Sequence, residues 1–158
     1  MISEIFHDFQ IGNPNRQMTL SFESTLPSVY VDRIFFKQLL TNIISNSVKF
    51  TNGREISEIV VGYTQNESEY VFYIKDNGVG FDMKYSAKLF NIFQRLHSSH
   101  EFEGSGIGLA TIKKIVQKHQ GRVWIESILN QGTSIYFTVP IQFDLENEAK
   151  NVQSNAGR

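Results

Sequence analysis

The stretch from Asp32 to Phe50 constrains this chain more than any other. Asp32 is a good helix N-cap, and the pattern behind it predicts a helix over Arg33 to Phe50, ended by Asn52-Gly53. At about 100° per residue, Phe35, Phe36, Leu39, Leu40, Ile43 and Ile44 fall in one apolar arc, with Lys37, Thr41 and Ser45 opposite in solvent. Such an arc must be laid on another apolar surface, and the flanking segments supply one. Met18 to Glu23 alternates apolar and polar residues, as a strand with one buried face does. Two further strands are expected near Glu58 to Thr64 and Tyr70 to Asp76, joined by the polar turn Gln65 to Glu69, with a short extended piece at Val29 to Val31. A short helix over Ser86 to Phe93, a mobile loop over Gln94 to Ser105 and a helix over Ile107 to Gln120, capped by Gly121, come next. Arg122 to Ser127 and Thr133 to Pro140 form a hairpin around Asn130-Gln131-Gly132. The expected fold class is α/β (α+β): a two-layer sandwich of one mixed sheet with helices on one face.

At 158 residues, with 41% hydrophobic and 20% charged, the chain can bury a core of its own. The domain is expected over residues 15–142. Residues 1–14 read as the frayed end of a preceding helical or linker segment, and 143–158 as a polar, disordered tail. A net charge of -1 offers no basic field for nucleic acid. Without cysteine there is neither a disulfide framework nor a thiolate metal site. No apolar run approaches the ~20 residues a membrane helix needs, and no signal peptide is visible, so no direct membrane contact is expected and the cytoplasm is the default location.

Four short pieces carry chemistry. On the first helix, Asn46 projects into the apolar arc, with Asn42 and Lys49 along its edge and Phe50 within it. A buried amide without a partner costs roughly 1–3 kcal/mol, so Asn46 calls for one: nearby backbone, or a hard cation such as Mg²⁺. Lys49 suits a phosphate, and Phe50 could flank a flat base. In the second piece, Asp76-Asn77-Gly78-Val79-Gly80, the face of Tyr70, Phe72 and Ile74 is apolar until Asp76. That carboxylate either opens a simple Asx turn or accepts a hydrogen bond from an exocyclic amine such as that of adenine. Third, Gly104-Ser105-Gly106-Ile107-Gly108-Leu109 opens a helix, where free N–H groups suit phosphate or where glycine merely serves a tight loop. Fourth, the hydroxyl of Thr133, after Gly132, could reach a base or simply favour a strand.

Each piece is weak alone, but their order is informative. Asn42-x-x-x-Asn46-x-x-Lys49-Phe50, then DNGVGFD, LFNIFQRLH, GSGIGLA and GTSIYF, closely resemble the ATP-binding catalytic domain of sensor histidine kinases. That family belongs to the superfamily of DNA gyrase B, the heat-shock chaperone ATPases and the mismatch-repair ATPases. The resemblance covers roughly Thr19 to Pro140 and implies the Bergerat α/β fold. It implies ATP and Mg²⁺ as ligands, with Asn46 on the metal and Asn42 nearby, and Lys49 on the phosphates. It further implies that Phe50 packs on the nucleotide, Asp76 takes the adenine amino group, Gly78 and Gly80 shape the pocket, and Thr133 completes it. Phe93 and Arg95 match the family's Phe-x-Arg box, with the arginine toward the γ-phosphate. Gln94 to Glu103 would be the ATP lid, hinged by Gly104, Gly106 and Gly108, with the backbone from Ser105 through Leu109 around the phosphates.

The same resemblance implies two-component signal transduction by phosphorelay. A protein-histidine kinase of this kind transfers the γ-phosphate to a histidine on a dimerisation segment, here absent, and thence to a response regulator receiver domain. The full-length kinase would be a homodimer, cytoplasmic or the cytoplasmic part of a membrane receptor. Among His7, His97, His100 and His119, His7 is followed by Asp8, but no Arg-Thr-Pro appears after it, so it reads as an accident of the linker. His97, His100 and Glu101 suggest zinc only superficially, since they sit in the expected lid. The hydrolytic cousins carry a glutamate base where this chain has Asn42, so weak ATP hydrolysis is expected. A serine kinase of the anti-sigma-factor type and a non-catalytic docking module are the rival readings.

Overall fold

The computed structural model describes residues 1–89 and 107–141. The elements run α1 (Ile2–Gly12), β1 (Gln17–Phe22), α2 (Arg33–Phe50), β2 (Ile56–Gln65), β3 (Glu69–Asp76), a 3₁₀ turn (Met83–Tyr85) leading into α3 (Ser86–Leu89), α4 (Gly108–Lys118), β4 (Val123–Ile128) and β5 (Gly132–Pro140). The five strands form one sheet in the order β1-β2-β3-β5-β4. β1 runs parallel to β2, and all other pairs are antiparallel. The sheet is therefore mixed, and its helices lie on one face, as the patterning predicted.

Between the layers, Leu39, Leu40, Ile43, Ile44 and Val48 of α2 and Ile112, Ile115 and Val116 of α4 meet Ile59, Val61, Phe72, Ile74, Ile125, Ile135 and Phe137 from the strands. Burial of this apolar area is the main source of stability. The opposite face carries an aromatic row across three strands. Trp124 stacks on Tyr136 with centroids 5.1 Å apart, and Tyr136 meets Tyr73 at 5.9 Å. The row ends over Gly62, where a Cβ would collide with the Tyr73 ring, so the missing side chain is what admits it.

Several local expectations change. The start of the chain is helical, as one of the two expectations for it had it, but not frayed: α1 forms, and its Ile5 and Phe6 are buried in the core. Its apolar face is short, which is why the sequence pattern looked mixed. Val29 to Val31 forms no strand, and both valines meet their apolar demand by packing against the core. α2 spans the expected residues, with the Asp32 carboxylate accepting from the amides of Ile34 and Phe35. Its end is set by Thr51 rather than Gly53: the Thr51 hydroxyl donates to Ser47 O at 2.7 Å, and Gly53 does not adopt a left-handed conformation. α4 also ends differently. Gln120, not Gly121, takes the left-handed turn at φ 59°, with Gln120 N–H on Gln117 O and Gly121 N–H on Val116 O. This is a Schellman closure with a side chain where glycine is favoured. Gly121 is needed for space instead, since a Cβ there would lie 2.0 Å from Thr138 O. His119 joins the two long helices, donating to Ile115 O through Nδ1 and accepting from the Asp32 amide at Nε2. Among the described residues, no helix is long and apolar enough to cross a membrane.

The two residues at the end of α4 should respond in opposite ways. Gln120→Gly should raise stability by about 0.5–1 kcal/mol by relieving the left-handed side chain. Gly121→Ala should lower it by roughly 1–3 kcal/mol through overpacking. Urea midpoints of the two variants check this, and shifts of the same sign would refute the assignment.

Candidate functional site

β3 delivers Asp76 to the end of the interlayer space, and the surroundings of that carboxylate define one end of the site. Tyr70, Phe72, Ile74 and Asp76 share the face turned to the helices, and Phe72 and Ile74 are fully covered. Burial pushes the Asp76 carboxyl up to about 6, while the Gly78 amide, the Ser47 hydroxyl and the Thr133 amide hold back part of that rise by bonding to the charged form. The Gly78 N–H donates to Asp76 Oδ1 at 2.9 Å, so the Asx turn exists. It is compatible with a binding role, because a carboxylate has lone pairs left after one such bond. Ser47 is 1% exposed and lies on the buried stripe of α2, four residues after Ile43.

The loop after β3 is fitted closely to its neighbours. Val79 N–H donates to Phe50 O at 3.0 Å, and Asn130 N–H to Val79 O at 2.7 Å. A Cβ on Gly78 would lie 2.7 Å from both Asp76 Oδ1 and Phe50 O, so only glycine lets the chain pass there. Gly80 combines φ 59° with backbone so near that a Cβ would lie 2.1 Å from Ile128 O. Ser127 Oγ accepts from the Phe81 amide at 2.9 Å, donates to Gly132 O at 2.9 Å and lies 3.0 Å from Thr133 Oγ1. Thr133 is in register with Asp76 on the neighbouring strand.

The other end of the site lies where α2 meets the start of α4. A Cβ built on Gly108 would be 3.6 Å from Asn42 Oδ1 and 3.9 Å from Asn46 Nδ2, so both amides face the first turn of α4. Among the described residues that turn has no side-chain cap, and the positive end of the helix dipole lies there. Asn42 Nδ2 donates back to Gln38 O at 3.0 Å, which fixes its amide on the helix. Lys49 Nζ stands 4.3 Å above the Phe50 ring. Leu109 packs against the core and Ile107 is exposed.

The structure thus brings Asn42, Asn46, Lys49, Phe50, Asp76, Gly78, Gly80, Thr133 and Gly108 along one path from β3 to α4. Phe93, Arg95, Gly104, Ser105 and Gly106, the expected lid and the pair His97 and His100 lie outside the described residues. One expectation is corrected. Asn46 is half-buried at the edge of the arc and not enclosed within it. Ser47 occupies the buried position, and its signal was present in the helical spacing. Arg54 and Ser127 were also missed. Arg54 bonds the backbone oxygens of Asn77, Gly78 and Asn130, partners 23 to 76 residues away. A separate cavity of about 870 Å³ opens between the start of α1, residues 24–31 and α2. Its lining is apolar apart from a few hydroxyls and Arg33, so it is not the site of this chemistry.

Comparison with known proteins bears on what the path does. Residues 31–142 match the family described as histidine kinase-, DNA gyrase B-, and HSP90-like ATPase. Cyanobacterial phytochrome A of Nostoc sp. is 43% identical over 116 residues, which is 73% of this chain but 15% of that protein. The chain thus spans a small part of that relative. Among solved structures, the mycobacterial sensor histidine kinase MprB superposes with a TM-score of 0.72 at 22% identity, covering 88% of this chain and 91% of that one. Full-length ShkA, solved in complex with AMPPNP, gives a TM-score of 0.71 at 22% identity over 88% of this chain and 29% of that one. At that identity the two structures speak for the fold.

The raised Asp76 carboxyl carries a stability consequence. Between its unfolded value of 3.8 and about 6 the folded protein binds the extra proton, so stability falls as pH rises through that window, and the cost persists above it. Without ligand, Asp76→Asn should therefore be more stable than wild type at pH 7.5, by on the order of 1–2 kcal/mol, and the gain should shrink as pH falls from 6 to 4. Denaturant midpoints at three pH values measure it. A variant less stable than wild type at pH 7.5 would show that the carboxylate is a structural asset.

Proposed function

The chain belongs to the histidine kinase-, DNA gyrase B- and HSP90-like ATPase family, as a catalytic domain of the sensor histidine kinase kind, and from this we propose that it binds Mg-ATP along the path from Asp76 to α4 and donates the γ-phosphate to a histidine. The observation that carries the reading is Asp76. A carboxylate kept at the end of an apolar stripe at a cost to stability is the group expected where a base amine must be recognised.

In this reading the Asp76 carboxylate accepts from the adenine amino group, while Thr133 and the glycine backbone at Gly78 and Gly80 shape the cleft. Phe50 packs on the nucleotide, and Lys49 reaches the phosphates. The first turn of α4 from Gly108, and by the resemblance the backbone of Gly104, Ser105, Gly106, Ile107 and Leu109, turns N–H groups toward them. Arg95 in the Phe93-x-Arg95 box serves the γ-phosphate side, and Gln94 to Glu103 the lid. The donor set fits a hard cation: the half-buried Asn46 side chain makes no hydrogen bond among the described residues and stands beside the fixed Asn42 amide at the dipole end of α4. Mg²⁺ held by Asn46 would neutralise phosphate charge. The remaining work is positioning, as phosphoryl transfer requires little else of a protein.

Asn42 decides between acceptors. An amide takes no proton at neutral pH, so no group at that position activates water, and transfer to an imidazole is favoured over hydrolysis. The partners in this reading are a histidine-bearing dimerisation domain and a response regulator receiver domain, in a homodimeric kinase acting in the cytoplasm. The test is incubation with γ-labelled ATP and a histidine-bearing helical segment from a phytochrome-like kinase. Acid-labile, alkali-stable label on the segment and little free phosphate are expected. Acid-stable label would indicate a serine kinase, and rapid phosphate release would contradict the role given to Asn42.

A further inference from the structure

Arg54 stands in the turn between α2 and β2, four residues after Phe50, and its own amide donates to Thr51 O at 3.0 Å. Its guanidinium reaches three backbone oxygens on two other segments. Nε donates to Asn77 O at 2.7 Å, and Nη2 donates to Gly78 O at 2.9 Å and Asn130 O at 2.5 Å. Asn77 and Gly78 directly follow Asp76, whereas Asn130 lies at the tip of the β4–β5 hairpin with φ 64°. Three carbonyl oxygens converging on one point repel one another unless a cation with several donors lies between them. A planar fork of N–H groups meets that demand, and a single ammonium meets it less well.

The placement links this clamp to recognition. The Gly78 amide bonds Asp76 Oδ1, so the orientation of the Asn77–Gly78 backbone sets the direction of the carboxylate. The hairpin abuts the same point, since a Cβ on Gly132 would lie 1.9 Å from Asp76 O. Asn77 is further pinned by its side chain, which accepts from the Glu58 amide at 3.0 Å and donates to Ile56 O at 2.9 Å. Arg54 therefore ties the end of α2, the loop after β3 and the hairpin tip around one carboxylate.

We infer that Arg54 is a positioning residue for base recognition, which holds the Asp76–Gly78 wall at the geometry that selects adenine. This rests on the reading that Asp76 takes the adenine amine. Arg54 touches no nucleotide in this account and acts through the backbone it clamps.

The test is calorimetric titration of wild type, Arg54→Lys and Arg54→Ala with Mg-ATP and Mg-GTP, at a temperature where melting curves show each protein folded. Arg54→Ala should weaken ATP by roughly tenfold or more while changing GTP little, so that the preference for ATP collapses; Arg54→Lys should keep part of it. Should Arg54→Ala not fold, Arg54→Lys carries the test, with a severalfold loss in the ATP to GTP ratio expected. Lowered melting temperature with an unchanged ratio would make Arg54 a stability residue and overturn the inference. If wild type itself shows no preference for ATP, the adenine reading falls and the inference with it. If wild type prefers ATP, Asp76→Asn abolishes the preference and the Arg54 variants retain it, the inference alone falls.

Discussion

The site depends on one carboxylate placed where the apolar face of β3 runs out. Asp76 is held by the Gly78 and Thr133 amides and the Ser47 hydroxyl, yet these do not fully offset its burial, and its carboxyl remains pushed up to about 6. An apolar residue at that position would stabilise the layer better. Retaining a charge there constrains everything nearby. α2 must bring a small hydroxyl into its buried stripe at Ser47, the loop after β3 must turn back on the carboxylate through glycine, and β5 must present the Thr133 amide alongside.

From that point the rest of the path follows by connection. Phe50 O receives Val79 N–H, so the end of α2 is fixed against the base loop. One and two turns earlier on the same helix, Asn46 and Asn42 face the first turn of α4. A single helix thus spans both ends of the site, from base recognition to phosphate and metal. The helix is itself braced at its start by His119 of the α4 end and by Lys118, whose Nζ lies 3.7 Å from the Phe35 ring centroid. Rigid elements of this kind suit a reaction that relies on positioning.

Much of this was legible in the sequence because it rests on local periodicity. α2 matches the expected Arg33 to Phe50 and its Asp32 cap, β2 begins two residues earlier and ends one later than expected, and β3 begins one residue earlier and ends at Asp76 as expected. The two-layer class followed from the patterning of the elements, and the family from the order of the motifs. What escaped depends on distant contacts or on geometry that composition does not encode. Arg54 was silent because its partners are backbone oxygens far along the chain. Gly121 was read as a cap, whereas the left-handed position falls on Gln120 and Gly121 yields space to Thr138. Asn46 was placed within the apolar arc because a helical projection does not show how far a neighbouring helix covers its edge. The expectation of a frayed start failed because α1 gains its order from tertiary packing of Ile5 and Phe6, not from propensity.

The central claim is that Asp76, Asn46 and the first turn of α4 form one adenine-selective, metal-assisted nucleotide site. Titration calorimetry of the wild-type protein with ATP and with GTP, each in the presence and absence of Mg²⁺, tests it most directly. ATP binding should strengthen with Mg²⁺ and exceed GTP binding under the same conditions. Absence of binding at millimolar ATP, or equal affinity for the two nucleotides, would contradict it.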